Sequence, residues 1–226
     1  MIKQKTILFV AMPDSIHTAR WMEQLREQGW DIHLFPSTVV ATVHPRIRQV
    51  TIHHLWHKKF VLDSKPKSPI LKLFERILYA ILRRVFTYCL PVWKAKKLSN
   101  VINELQPDVV HSLEIQHAGY LTLAAKTWMK GKFPIWIVTN WGSDIFLFGN
   151  LPTHKEKIQQ VLQACDYYSC ECQRDVQLAK DFGFNKTVFP VFPNTGGFDL
   201  DKVERIRRQL LTSNRKVIML KGYHGW

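Results

Sequence analysis

A chain of 226 residues, 46% of them hydrophobic, can bury a substantial core, and it carries no low-complexity tract or internal repeat, which sets disordered and solenoid architectures aside. Thirty-two basic against 18 acidic residues leave a formal charge of +14, a field that favours anionic partners: nucleotides, nucleic acid or acidic lipid head groups. Between Lys58 and Lys97 eleven Lys and Arg face only Asp63 and Glu75, so most of the excess lies in one segment.

Lys3-Gln4-Lys5 leads directly into an apolar run, Ile7 to Ala11, with no room for a signal peptide, so a cytosolic protein is expected. An unbroken run of this kind suits a strand covered by helices on both faces. Pro13, Asp14 and Ser15 cannot extend it, but Asp14 or Ser15 can cap a helix that carries His17 and Arg20 on its first turns. That helix is expected over Ile16 to Gln28, with Gly29 as a left-handed cap, before a second strand, Trp30 to Phe35. Strand, helix, strand implies parallel pairing and a right-handed crossover. In such sheets ligands sit beyond the carboxyl ends of the strands, so the Pro13 to Arg20 corner is the first candidate site.

A third strand is expected within Ile47 to His54. His53, His54 and His57 cluster there without an acidic partner, which argues against a metal site. From Ser68 onward Leu71, Phe74, Leu78, Ile81, Val85 and Tyr88 recur at helical spacing, with Lys72, Arg76, Arg83 and Arg84 largely off the stripe. Those charges rule against a membrane span. The same pattern suits either a helix packed on the sheet or one lying on an anionic bilayer through residues 65–97, at the inner face of the membrane.

Pro91 reads as a break, followed by a helix from Val92 to Leu105 and a buried strand from Asp108 to Leu113. His111, Glu114 and His117 then fall at or beyond a strand end, ahead of a helix from about Gln116 to Met129. His111 reads equally well as a satisfied buried histidine. Strand Ile135 to Thr139 runs into Trp141-Gly142-Ser143-Asp144, where Gly142 permits close backbone approach and Ser143 and Asp144 offer hydrogen-bonding groups. Helix Lys155 to Ala164, strand Asp166 to Cys170, helix Gln173 to Phe182 and strand Val188 to Val191 continue the alternation. The link Pro193 to Gly197 precedes a helix from Leu200 to Leu211 and a strand from Lys216 to Leu220. Residues 1–195 therefore read as one domain, and 196–226 as a linker helix and the opening of a second. The cysteines, Cys89, Cys165, Cys170 and Cys172, follow no zinc spacing and read as reduced packing residues.

In order and spacing, several pieces resemble the family 4 glycosyltransferases of GT-B architecture. They are Ser15 to Trp21, Pro107 to His111 with Gly119-Tyr120-Leu121, Trp141 to Asp144, and Cys172 to Asp175 with Leu178-Ala179. The Pro193 to Gly197 link and Lys221-Gly222-Tyr223 are similar to that family's passage into its donor-binding half. The resemblance implies an α/β fold with a Rossmann-like parallel sheet and helices on both faces, forming the amino-terminal half of a GT-B enzyme. It implies transfer of a sugar from a nucleotide-sugar donor to a glycan or lipid-linked acceptor, with retention, without a metal and with no other cofactor. By position His17, His111 and Asp144 would be catalytic. Ser15, Arg20, Glu114, His117, Trp141, Gly142 and Ser143 would bind substrate, and Lys221 and Gly222 would belong to the donor site. Departures accompany the likeness: Met12 to Ser15 stands where relatives carry glycines, Leu113 stands where many carry a second histidine, and the paired glutamates of the donor half are absent. An inactive acceptor- or membrane-binding domain is the alternative reading. Nucleic acid is not expected as a partner, because the aromatic residues fall on the apolar stripe rather than among the basic ones.

Overall fold

The computed structural model describes residues 4–39, 42–55, 90–194, 199–208, 212–214 and 216–218. The basic helical pattern from Ser68 to Cys89, His57, and the pair Lys221 and Gly222 lie outside these residues. The described chain falls into two units, Met1–Gly196 and Gly197–Trp226.

The first unit is built on seven parallel strands, β1 (Thr6–Ala11), β2 (Asp31–Pro36), β3 (Thr51–Ile52), β4 (Val109–Leu113), β5 (Ile135–Thr139), β6 (Tyr167–Ser169) and β7 (Thr187–Val188). Their order across the sheet is β3-β2-β1-β4-β5-β6-β7, with β1 against both β2 (Ile7 opposite Ile32) and β4 (Ile7 opposite Val109). The helices are α1 (Ile16–Leu25), α2 (residues 90–105), α3 (Tyr120–Lys126), α4 (Ser143–Phe146), α5 (Pro152–Ala164) and α6 (Gln173–Asp181). This is the Rossmann-like α/β arrangement that the alternating pattern implies.

The unbroken apolar run of β1 has the physical reason expected of it. Leu8 and Val10 point into one core, with Leu98 and Ile102 of α2, while Ile7, Phe9 and Ala11 point into another, with Met22 of α1. Leu8, Phe9, Val10 and Ala11 have no exposed surface at all. Each large side chain so buried contributes roughly 1.5–3 kcal/mol, so both helical layers are fixed to this one strand. Gly29, at φ 74°, ends the first helical segment in the left-handed region as its type allows.

Several boundaries differ from the sequence reading. Residue 90 is already helical, so α2 includes Pro91 and extends further toward the amino terminus than the expected Val92. After β4 the backbone makes a π-helical turn, Ile115–Gly119, before α3, and the helix stops at Lys126 rather than Met129. The last strand is Thr187–Val188; Phe189 donates its N–H to the Tyr168 carbonyl at 2.8 Å, and the chain then leaves the sheet.

The second unit contains α7 (Leu200–Ile206), capped by Asp199, whose carboxylate accepts from the Lys202 N–H at 3.0 Å. This explains the Asp199-Leu200-Asp201 sequence as a helix start. Among the described residues, 216–218 are assigned to no strand, and the rest of the expected Lys216 to Leu220 strand lies outside the described residues.

Candidate functional site

The strand order reverses between β1 and β4, and at such a switch point the loops leaving the two strands diverge and open a crevice. From β1, Ser15 caps α1 by accepting the His17 N–H at 3.2 Å, which holds His17 on the first turn beside that crevice. Arg20 lies one turn further along α1, half-buried. From β5, Trp141 meets His17 edge to face with ring centroids 5.5 Å apart.

Glu114, the residue that leaves β4, carries the strain of the site. Its φ of 77° with ψ of 156° lies in a region that is essentially reserved for glycine, and holding another residue there costs on the order of 1–3 kcal/mol. Its carboxylate is buried and accepts the backbone N–H of His117 at 2.9 Å and that of Ala118 at 2.5 Å, capping the π-turn. It also accepts from His117 Nδ1 at 3.3 Å. That bond fixes the ring and raises the His117 pKa above its usual value. The His117 side chain itself is 58% exposed.

Asp144 stands beside this turn. Its Oδ2 accepts the Ile115 N–H at 3.0 Å and the Trp141 N–H at 2.9 Å, while its carbonyl accepts Gln116 Nε2 at 2.9 Å. One carboxylate thus ties the β5 loop to the β4 loop. Burial, with the charge of Glu114 added, pushes its pKa up to about 8 against the opposing pull of the two backbone donors. Lys94 of α2 brings the compensating charge: it is buried, donates to the Ser37 carbonyl, and faces Glu114. Burial brings its own pKa down to about 8.

His111, expected by position among the catalytic residues, is held inside the sheet. It lies within β4, 3% exposed, roofed by Trp21 of α1 at 5.1 Å and Phe9 at 5.2 Å between ring centroids. Its Nε2 bonds Thr139 Oγ1 at 2.7 Å, and burial takes its pKa down to about 3, so the ring is neutral and inside the core. Gly142 and Ser143 are exposed at the start of α4, and a Cβ at Gly142 would meet open space.

Two further parts of the site are contacts between segments that the sequence does not pair. Asn140 Nδ2 donates to Asp175 Oδ2 at 2.8 Å, and Arg174 spans from Asp175 at 2.8 Å to the Phe146 ring, 3.8 Å from its centroid, closing the β5 and β6 loops together. Among the described residues, six buried polar atoms find no partner: those of Thr18, Ser37 (Oγ), Thr38, Asn140 (Oδ1), Trp141 (Nε1) and Asn194 (Nδ2). All six belong to segments that follow the carboxyl ends of strands, and buried groups left unpaired in the protein are the ones that a ligand or ordered water satisfies.

A parallel, Rossmann-like α/β domain with buried polar groups beyond the carboxyl ends of its strands is a fold that by itself assigns no activity. Residues 6–169 match the family described as Glycosyl transferase 4-like, and the chain belongs to that family. Among solved structures, sucrose-phosphate synthase from Thermosynechococcus elongatus is 11% identical, with 89% of this chain and 97% of that chain covered at a TM-score of 0.48. No curated protein matches the chain.

Proposed function

We propose that the Met1–Gly196 unit is the acceptor-side domain of a GT-B glycosyltransferase that moves a sugar from a nucleotide-sugar onto a hydroxyl of a glycan or lipid-linked acceptor. The observation that carries this reading is the set of His17, Trp141, Asp144, Glu114 and His117 gathered around the switch point of a glycosyl transferase 4-like domain. In this reading His117 Nε2 receives the acceptor hydroxyl and Glu114 orients the ring. Asp144 holds the two loops in register, and Trp141 and His17 offer ring surface to a sugar. Ser15 acts through the cap that sets His17. Arg20, Gly142 and Ser143 border the same crevice, and the unpaired Asn140 and Trp141 groups are suited to hydroxyls, which both donate and accept.

Transfer proceeds with retention and without a metal, and the donor phosphates are held by a second domain, to which Lys221 and Gly222 belong. The test is to incubate the chain, alone and together with a donor-binding half, with a panel of nucleotide-sugars and acceptors from its host, and to determine the anomeric configuration of any product. Retained configuration and full activity in a chelator support the reading. Inversion, loss of activity in chelator, or failure of every donor in the panel overturns it.

A further inference from the structure

A second surface lies on α2 and on the segment that follows α3. Val92 and Trp93 of α2 are 49% and 38% exposed, and Trp128 is 46% exposed. Lys96 Nζ sits 4.2 Å from the Trp128 ring centroid, and Lys97 Nζ 5.4 Å from that of Trp93. Lys97 also donates to the carbonyls of His54 and Leu55 at 2.6 and 3.0 Å, which fixes that end of the face to the β3 edge. Lys130 and Lys132 follow within four residues of Trp128, both exposed. Across residues 90–105 and 126–132 Glu104 is the sole acid in the sequence. Two indoles on separate segments are thus each set against an ammonium group, on a face with a cationic excess.

We infer that this face docks on an anionic lipid bilayer. Indole rings settle at the boundary between head groups and acyl chains, and lysine ammonium groups reach lipid phosphates from the same depth. Exposed Val92 adds apolar area beside Trp93. Lys96 covers a face of the Trp128 ring, the surface a nucleic-acid base would stack on, so the arrangement favours lipid over single-stranded nucleic acid. Among the described residues no helix is long and apolar enough to cross a membrane. The docking extends to described residues the expectation held for 65–97, and it stands apart from the transfer reaction, whose failure would leave it intact.

The test is co-sedimentation of the whole chain with vesicles of phosphatidylcholine alone or mixed with phosphatidylglycerol, at low and high salt. Binding is expected with the mixed vesicles and is expected to weaken with salt. Lys96→Glu should lower the partition coefficient roughly tenfold or more, since each lysine near such a surface supplies about a fivefold factor and the reversal adds repulsion. Trp128→Ser should lower it at low and high salt alike, while Arg26→Glu, past the carboxyl end of α1, whose helix packs in a different core from α2, should leave it unchanged. Equal binding to both vesicle types, wild-type partitioning by both Lys96→Glu and Trp128→Ser, or retention on duplex DNA that mixed vesicles cannot displace would overturn the inference.

Discussion

Asp144 is the most informative single perturbation, because the same carboxylate ties the two loops of the site and is held out of water. Its folded pKa, about 8, stands above the ordinary carboxylate value, so between those two pH values the folded state binds the proton that the unfolded state releases. Stability contributed at this group is therefore lost as pH rises from about 4 towards 8. A rise of about 4 pH units corresponds to at most about 6 kcal/mol, and relaxation around a group with two backbone donors leaves an expected effect of about 2–3 kcal/mol. Asp144→Asn keeps an oxygen for the Ile115 and Trp141 N–H groups and removes the charge. The variant should match the wild type near pH 4.5 and exceed it in stability by about 2–3 kcal/mol at pH 8.5, by urea denaturation at each pH. Taking the difference removes the opposite contribution of His111, whose depressed pKa makes stability rise with pH from about 3 to its unfolded value. A constant difference across the range, or a variant less stable than wild type at pH 8.5, would refute the reasoning.

Further consequences follow from the same contacts. Glu114→Gln should lower the His117 pKa towards its ordinary value, read from the pH dependence of the imidazole resonances, because the carboxylate bond is the largest cause of the rise; an unmoved titration would show that Nδ1 is not held. Glu114→Gly should relieve about 1–3 kcal/mol of backbone strain but lose both caps of the π-turn, so net stability should fall by less than about 1.5 kcal/mol, with faster amide exchange at His117 and Ala118. Gly149→Ala should destabilise by about 1–3 kcal/mol in thermal or urea unfolding, since an added Cβ would stand 2.7 Å from the Phe182 ring. His111→Ala should cost about 2–4 kcal/mol of stability by opening a void beneath Trp21 and leaving Thr139 unpaired. If that variant keeps wild-type stability, His111 is not the packing residue described.

Much of the frame was legible in the residues. The apolar run at β1, the Ser15 cap, Gly29 and the exact span of β5 each follow from rules that act over a few residues, where sequence speaks directly. The π-turn was hidden because Ala118, Tyr120 and Leu121 satisfy helical spacing whether the first turn is wide or regular. Glu114 gave no warning of a glycine-like backbone, since that conformation is imposed by the carboxylate's own caps and by Asp144, twenty-nine residues away where it bonds Ile115. Lys94 sits among surface lysines in sequence, and only the approach of α2 to the Ser37 carbonyl buries it. His111 and His117 look alike as letters. Alternation along β4 sends the first under Trp21, while the π-turn carries the second to the surface.

The most direct measurement of the central claim compares sugar transfer by wild type with His117→Ala, Trp141→Ala and His17→Ala, with Arg26→Ala, exposed past the carboxyl end of α1, as the control. With the switch-point crevice as the acceptor site, His117→Ala should cut transfer about 10²-fold or more, as removal of a group in contact with the reacting hydroxyl does, and Trp141→Ala and His17→Ala should each lower it about tenfold, as loss of ring surface for a sugar does, while the control keeps its rate. Wild-type transfer by all three, with folding unchanged, would place acceptor chemistry elsewhere and contradict the account.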